Sequence, residues 1–151
     1  MSTFVAAVRS VITYIVVALY VAVAGPIGLV FAVPFKLKGL LYELGHIGVM
    51  LALGFAGIRY RVTGREHLPA GEAVVFCSNH QSNVDPPVLF RALHRRLHIL
   101  YKAELSKLPI LGTVIRVGGF IPVPRAQKDA AMVAIDQAAA SIRSGNSFLI
   151  F

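Results

Sequence analysis

The sequence predicts an α/β fold that carries an apolar helical hairpin at its N-terminus, and three observations lead there. The charges are segregated: none falls in the 26 positions from Ser10 to Phe35, whereas residues 59–151 hold 12 of the 15 Lys and Arg and 6 of the 7 Asp and Glu. Within that charged part, short apolar runs bounded by turn formers alternate with stretches of helical period, the pattern of a sheet flanked by helices. With 151 residues the chain has room for one ordinary domain and little more. The organisation expected is a membrane-associated helical hairpin over residues 1–58, then an α/β unit over 59–151 with a mixed or parallel sheet. That sheet is expected to be incomplete, because the sequence stops inside an apolar run.

Composition narrows the function. The chain is 56% hydrophobic and 15% charged, against about 25% charged in an average soluble domain. Disordered and fibrous classes are excluded, and a purely soluble one is disfavoured. A formal charge of +8 on so apolar a chain suits an anionic membrane surface or phosphorylated substrates better than nucleic acid. Nothing reads as a recognition helix or an aromatic stacking platform. Cys77 is the lone cysteine, so no internal disulfide can form.

The elements follow in chain order. Ser10–Phe35 exceeds the roughly 20 apolar residues that span a bilayer core. It runs on past Ala22-Val23-Ala24 with no polar stretch, which favours a retained helix over a cleaved signal peptide. Gly39–Ile58 is a second apolar stretch, with Glu43 and His46 as its ionisable groups, and only Pro34–Lys38 separates the two. Gly48, Ala52 and Ala56 recur at the spacing that lets membrane helices approach closely, or are simply small residues. Basic residues at both ends, Lys36 and Lys38, then Arg59, Arg61 and Arg65, suit a hairpin dipping into one leaflet as well as two full crossings. Ile58–Thr63 alternates like a half-buried strand, and Ala73–Cys77 reads as an interior strand with Cys77 buried. Pro86 opens a helix to about Leu93. Leu97–Tyr101 is a strand, Leu108–Val117 a short helix and Gly119–Val123 a strand. Lys128–Arg143 is an alanine-rich helix with Met132, Ile135, Ala139 and Ile142 on its apolar side, stopped by Gly145-Asn146. Ser147–Phe151 is the last strand.

The run Ser78-Asn79-His80-Gln81-Ser82-Asn83-Val84-Asp85-Pro86-Pro87 carries the chemistry. It joins a strand to a helix, where α/β folds place their sites. A turn between His80 and Asp85 can fold the carboxylate onto one imidazole nitrogen. The other nitrogen is then left to take a proton from an attacking hydroxyl. Ser82 lies too close along the same turn to complete a Ser-His-Asp triad, so the hydroxyl belongs to a substrate. The competing reading makes Asp85 a helix N-cap and His80 a satisfied loop residue. Arg125, after a Gly-flanked strand, is a candidate phosphate ligand, or a solvated surface arginine. Arg91, Arg95 and Arg96 with His94 and His98 form a basic cluster expected to face solvent or lipid headgroups. No histidine cluster suggests a metal.

In order and spacing, Asn79–Asp85, Lys102-Ala103-Glu104-Leu105, Leu108-Pro109-Ile110-Leu111-Gly112 and Gly119–Arg125 resemble the glycerolipid acyltransferase family, most closely its 1-acyl-glycerol-3-phosphate (lysophosphatidate) acyltransferases. The resemblance covers residues 73–151, and an apolar N-terminal helix pair fits it too. It implies transfer of a fatty acyl chain from an acyl thioester to the free hydroxyl of a lysophospholipid, at a membrane and on the cytoplasmic face of the inner or plasma membrane. The donor is acyl-CoA or acyl-carrier protein, and no cofactor, metal or covalent acyl-enzyme is implied. Carried over, His80 is the general base, Asp85 orients it, Arg125 contacts the acceptor phosphate and Lys102 adds positive potential there. The family has a Pro-Glu-Gly-Thr-Arg-like block directly after a strand resembling Ser147–Phe151, and this sequence stops before it. The expectation is therefore the N-terminal portion of such an enzyme. The alternative is a non-catalytic, membrane-associated module that binds anionic lipid.

Overall fold

The structure, a computed structural model, describes residues 3–69, 71–93, 96–124 and 126–151. Two helices, α1 (Thr3–Ala32) and α2 (Lys38–Ala56), form the hairpin. Both are long and apolar enough to cross a membrane. Gly57 closes α2 in the left-handed conformation, φ 70°, and the Ile58 N–H returns to the Leu53 carbonyl at 2.9 Å. The helices meet through small residues. A Cβ on Gly48 would lie 2.8 Å from the Tyr20 ring, and the Tyr20 hydroxyl donates to the Leu44 carbonyl at 2.7 Å. At Gly48 the close-approach reading therefore holds.

The rest is a parallel sheet of β1 (Val75–Cys77), β2 (Leu97–Lys102), β3 (Ile121–Val123) and β4 (Ser147–Ile150), in the order β1-β4-β2-β3. Helix α3 (Asp85–Leu93) follows β1, α4 (Leu111–Val117) leads to β3 and α5 (Lys128–Arg143) to β4. Leu97, Phe148 and Leu149 are wholly buried. Residues Leu97, Ile99 and Leu149 form one core cluster with Phe90 of α3 and Tyr42 of α2, while Phe148 and Ile121 form another with Ala134 and Ala138 of α5. Both faces of the sheet are thus covered, as all-parallel sheets require. The hairpin lies along the α/β unit: Tyr42 donates to the Gly118 carbonyl at 3.0 Å, Gly45 and His46 meet Phe90, and Gly25 of α1 abuts Ile110.

Four expectations are corrected. Ile58–Thr63 is not a strand; its alternation is local, and among the described strands none pairs with it. Among the described strands β1 lies at an edge and is bonded only to β4, and Cys77 is exposed rather than buried. On α5 the buried face is Ala134 and Ala138, while Met132 and Ile135 are about half exposed; the sheet accepts the helix through its smallest side chains. His98 leaves the basic surface cluster: it is buried beside Tyr42, Phe120 and Phe148, and burial with nearby Lys38 lowers its pKa. His94 and Arg95 lie outside the described residues.

Candidate active site

The carboxyl ends of all four strands share one edge, fixed by the register pairs Cys77–Ile150, Ile99–Leu149 and Lys102–Val123. The Ser78 N–H continues the ladder onto the Ile150 carbonyl at 3.0 Å, and the chain then leaves the sheet. It turns back at once, because the Asp85 N–H bonds the Ser82 carbonyl at 3.0 Å. This turn sets one carboxylate oxygen, Asp85 Oδ2, to accept the N–H groups of Gln81 and Ser82, each at 2.7 Å, and to lie 3.1 Å from His80 Nδ1. The helix-cap reading fails here. Asp85 points back into the loop, and Pro86 and Pro87 have no N–H groups to cap.

The two backbone donors and the imidazole hold the Asp85 carboxyl below its ordinary range. An ionised acceptor at Oδ2 requires the proton on Nδ1, which leaves the Nε2 lone pair for a donor from outside. The Ser82 hydroxyl accepts the Val84 N–H at 3.2 Å, a contact within the turn and not one with the imidazole. The pair is partly open to solvent, with side chains 36% and 28% exposed. Against the imidazole ring lies Phe151, centroid to centroid 4.5 Å, a residue that the sequence read only as the end of a strand.

Lys102 ends β2 on the same edge. β4 lies between its strand and that of His80, a lateral separation of about 10 Å. Its exposed ammonium sits 3.9 Å from Glu104, which offsets part of its charge. Arg125 lies outside the described residues, two positions beyond the end of β3. Among the described residues no three His, Cys, Asp or Glu side chains converge on a point that could hold a metal.

Behind the loop is an apolar cavity of about 390 Å³ between the hairpin, α3 and α4, with Val21, Leu44, Val49, Pro87, Val114 and Phe120 among its walls. Pro86 and Pro87, which line it, directly follow Asp85. No sequence spacing announced it, since four separate helices build it. Of the run Leu108–Gly112, Leu111 lines it. Ile110 occupies a rare γ-turn, φ 61° and ψ −61°, closed by Leu111 N–H to the Pro109 carbonyl at 2.5 Å. Gly112 sits so close to the Ser106 carbonyl that no Cβ fits.

A parallel sheet with a buttressed His-Asp pair at its carboxyl edge is the arrangement expected of the acyltransferases, and residues 59–151 match the sequence model of the Acyltransferase family. The chain belongs to that family. It is 32% identical over 103 residues to a 1-acyl-sn-glycerol-3-phosphate acyltransferase of Borreliella burgdorferi, a match covering 68% of this chain and 41% of the relative. Its fold is that of PlsC, the 1-acyl-sn-glycerophosphate (LPA) acyltransferase of Thermotoga maritima. The TM-score is 0.84 at 20% identity, over 100% of this chain and 61% of that one. The matches thus span less than two thirds of either protein, 41% of one and 61% of the other.

Proposed function

We propose that this chain belongs to an O-acyltransferase that moves a fatty acyl chain from an acyl thioester to the free hydroxyl of lysophosphatidate, yielding phosphatidate for phospholipid synthesis. The observation that carries this reading is the Asp85 carboxylate, held by two backbone N–H groups and aimed at His80 Nδ1. His80 Nε2 takes the proton of the acceptor hydroxyl as its oxygen attacks the thioester carbonyl, and Asp85 stabilises the imidazolium that forms. The tetrahedral intermediate collapses to the ester, and the departing sulfur takes the proton from the imidazolium. Lys102, on the same edge, and Arg125 serve the acceptor phosphate. The apolar cavity behind Asp85 accommodates an acyl chain, and its volume falls in the ordinary range of ligand pockets. The donor is acyl-CoA or acyl-carrier protein.

The hairpin favours one leaflet over two crossings. Gly39, Tyr42, Gly45 and His46 of α2 all meet the α/β unit, so lipid cannot surround α2 along its length. The opposite face of α1, at Val11, Ile15, Leu19, Val23 and Ile27, is half exposed or more. That stripe enters the bilayer and sets the basic α/β unit at its surface, on the cytoplasmic side where acyl thioesters are found.

The test is thiol release from acyl-CoA and from acyl-carrier protein with lysophosphatidate, using membranes that carry the wild type, His80→Ala or Asp85→Asn. Loss of general-base catalysis lowers turnover by about 10²–10⁴-fold. Undiminished turnover by His80→Ala overturns the mechanism. A wild type that binds anionic vesicles without releasing thiol makes the chain a lipid-binding module.

A further inference from the structure

One contact at the carboxyl edge is needed by neither the fold nor the hydrogen-bond network: the Phe151 ring against the His80 imidazole. We infer that Phe151 is a positioning residue that fixes the plane of the His80 ring, an inference that rests on His80 being the general base. A hydrogen bond through Nδ1 alone pins one ring atom. The Cβ–Cγ bond tethers the ring as well, yet a single contact of 3.1 Å restrains rotation about that bond only softly, and small rotations swing Nε2 away from the acceptor hydroxyl. A second contact on the face of the ring removes that freedom.

The geometry suits this role. The centroids are 4.5 Å apart with 36° between the planes, at the close end of the range for aromatic pairs. Phe151 is delivered from a firm base. It follows Ile150, which pairs with Cys77 in the sheet and whose carbonyl accepts the Ser78 N–H two residues before His80. The preceding Phe148 and Leu149 are wholly buried between β1 and β2. One strand therefore holds both the backbone from which the His80 loop departs and the ring on which its side chain rests. Phe151 itself is 38% exposed and belongs to neither core cluster, so its removal strips little from the interior. Its ring packs against the imidazole at a tilt, whereas the acceptor hydroxyl approaches Nε2 in the plane of that ring, where the lone pair lies.

Phe151→Leu, Phe151→Ala and Phe151→Tyr are compared with the wild type in membranes carrying the complete protein, alongside His80→Ala. Misplacement of a reacting group by about 1 Å can cost about 10²-fold in rate. Leu and Ala are expected to lower kcat by about tenfold or more with KM and melting temperature near wild type, and Tyr, which keeps the ring, to restore kcat to within about twofold. The ring-current shift on the His80 carbon-bound protons should vanish in Phe151→Leu and persist in Phe151→Tyr. If His80→Ala is inactive while Phe151→Leu matches the wild type, or Tyr is as impaired as Leu, the positioning role is overturned and the general base stands. If His80→Ala retains full turnover, the general-base reading falls, and this inference with it.

Discussion

Helices α1 and α5 bury the same kind of residue and face different surroundings. α1 buries Gly25, Gly28 and Ala32, and α5 buries Ala134 and Ala138. Small side chains let each backbone approach its neighbour closely, so the inward faces look alike. The outward faces do not. α5 exposes Lys128, Asp129, Asp136, Gln137 and Arg143 around a few apolar residues, whereas α1 exposes Phe4, Val11, Ile15, Leu19, Val23, Ile27 and Val30. Both helices leave large apolar groups outside, but on α5 Met132, Val133 and Ile135 are interspersed with charged residues, whereas on α1 the exposed residues from Val11 to Val30 include no charge, which suits a lipid neighbour. The outward face is the one that reports the solvent.

Charge placed on each outward face tests that contrast, and the largest effect belongs to α1. Leu19→Arg is expected to weaken liposome partitioning by about 2.5–3.5 kcal/mol, read by flotation, whereas Gln137→Arg on α5 should alter melting by no more than about 0.5 kcal/mol. If Leu19→Arg floats like the wild type, the stripe does not enter lipid. Enlarging an inward face should have an intermediate effect and blur the distinction. Gly48→Leu, forced against Tyr20, and Ala138→Leu, forced against the sheet, are each expected to cost about 1–3 kcal/mol in thermal or denaturant unfolding.

The smallest effect lies in the His80 loop, away from both helices. The folded Asp85 pKa is depressed by the Ser82 and Gln81 amides, then by His80. Its hold on the loop is therefore fully present above the ordinary carboxylate pKa of about 3.9 and is lost only as pH falls through the lower folded value. The Gln81 and Ser82 amide signals should titrate with a midpoint below that ordinary value, and Asp85→Asn should abolish the titration. A midpoint at or above it contradicts the two amide bonds.

What could be read in the sequence was mostly local. The turn that brings His80 to Asp85 joins residues five positions apart, and the hairpin is a matter of two apolar lengths and a short connection. The expectations that failed depended on neighbours. Ala73–Cys77 is as apolar as an interior strand, yet among the described strands β1 sits at an edge beside β4 alone. Ile58–Thr63 alternates correctly and finds no ladder. Met132 and Ile135 carried the periodic signal on α5, while the sheet selected Ala134 and Ala138. Phe151 reaches His80 only because β4 pairs with β1, and the cavity exists only where α1, α2, α3 and α4 meet. Neither follows from spacing along the chain.

The pairing of Val75 with Phe148 also has a consequence for biogenesis. β1 is made early, but its one partner in the sheet is synthesised some 70 residues later. At about 5–20 residues per second, the His80 loop waits about 4–15 s on the ribosome for the strand that anchors it, while the hairpin has already emerged. The nascent chain can therefore expose its apolar hairpin before the loop that joins His80 to Asp85 is anchored in the sheet.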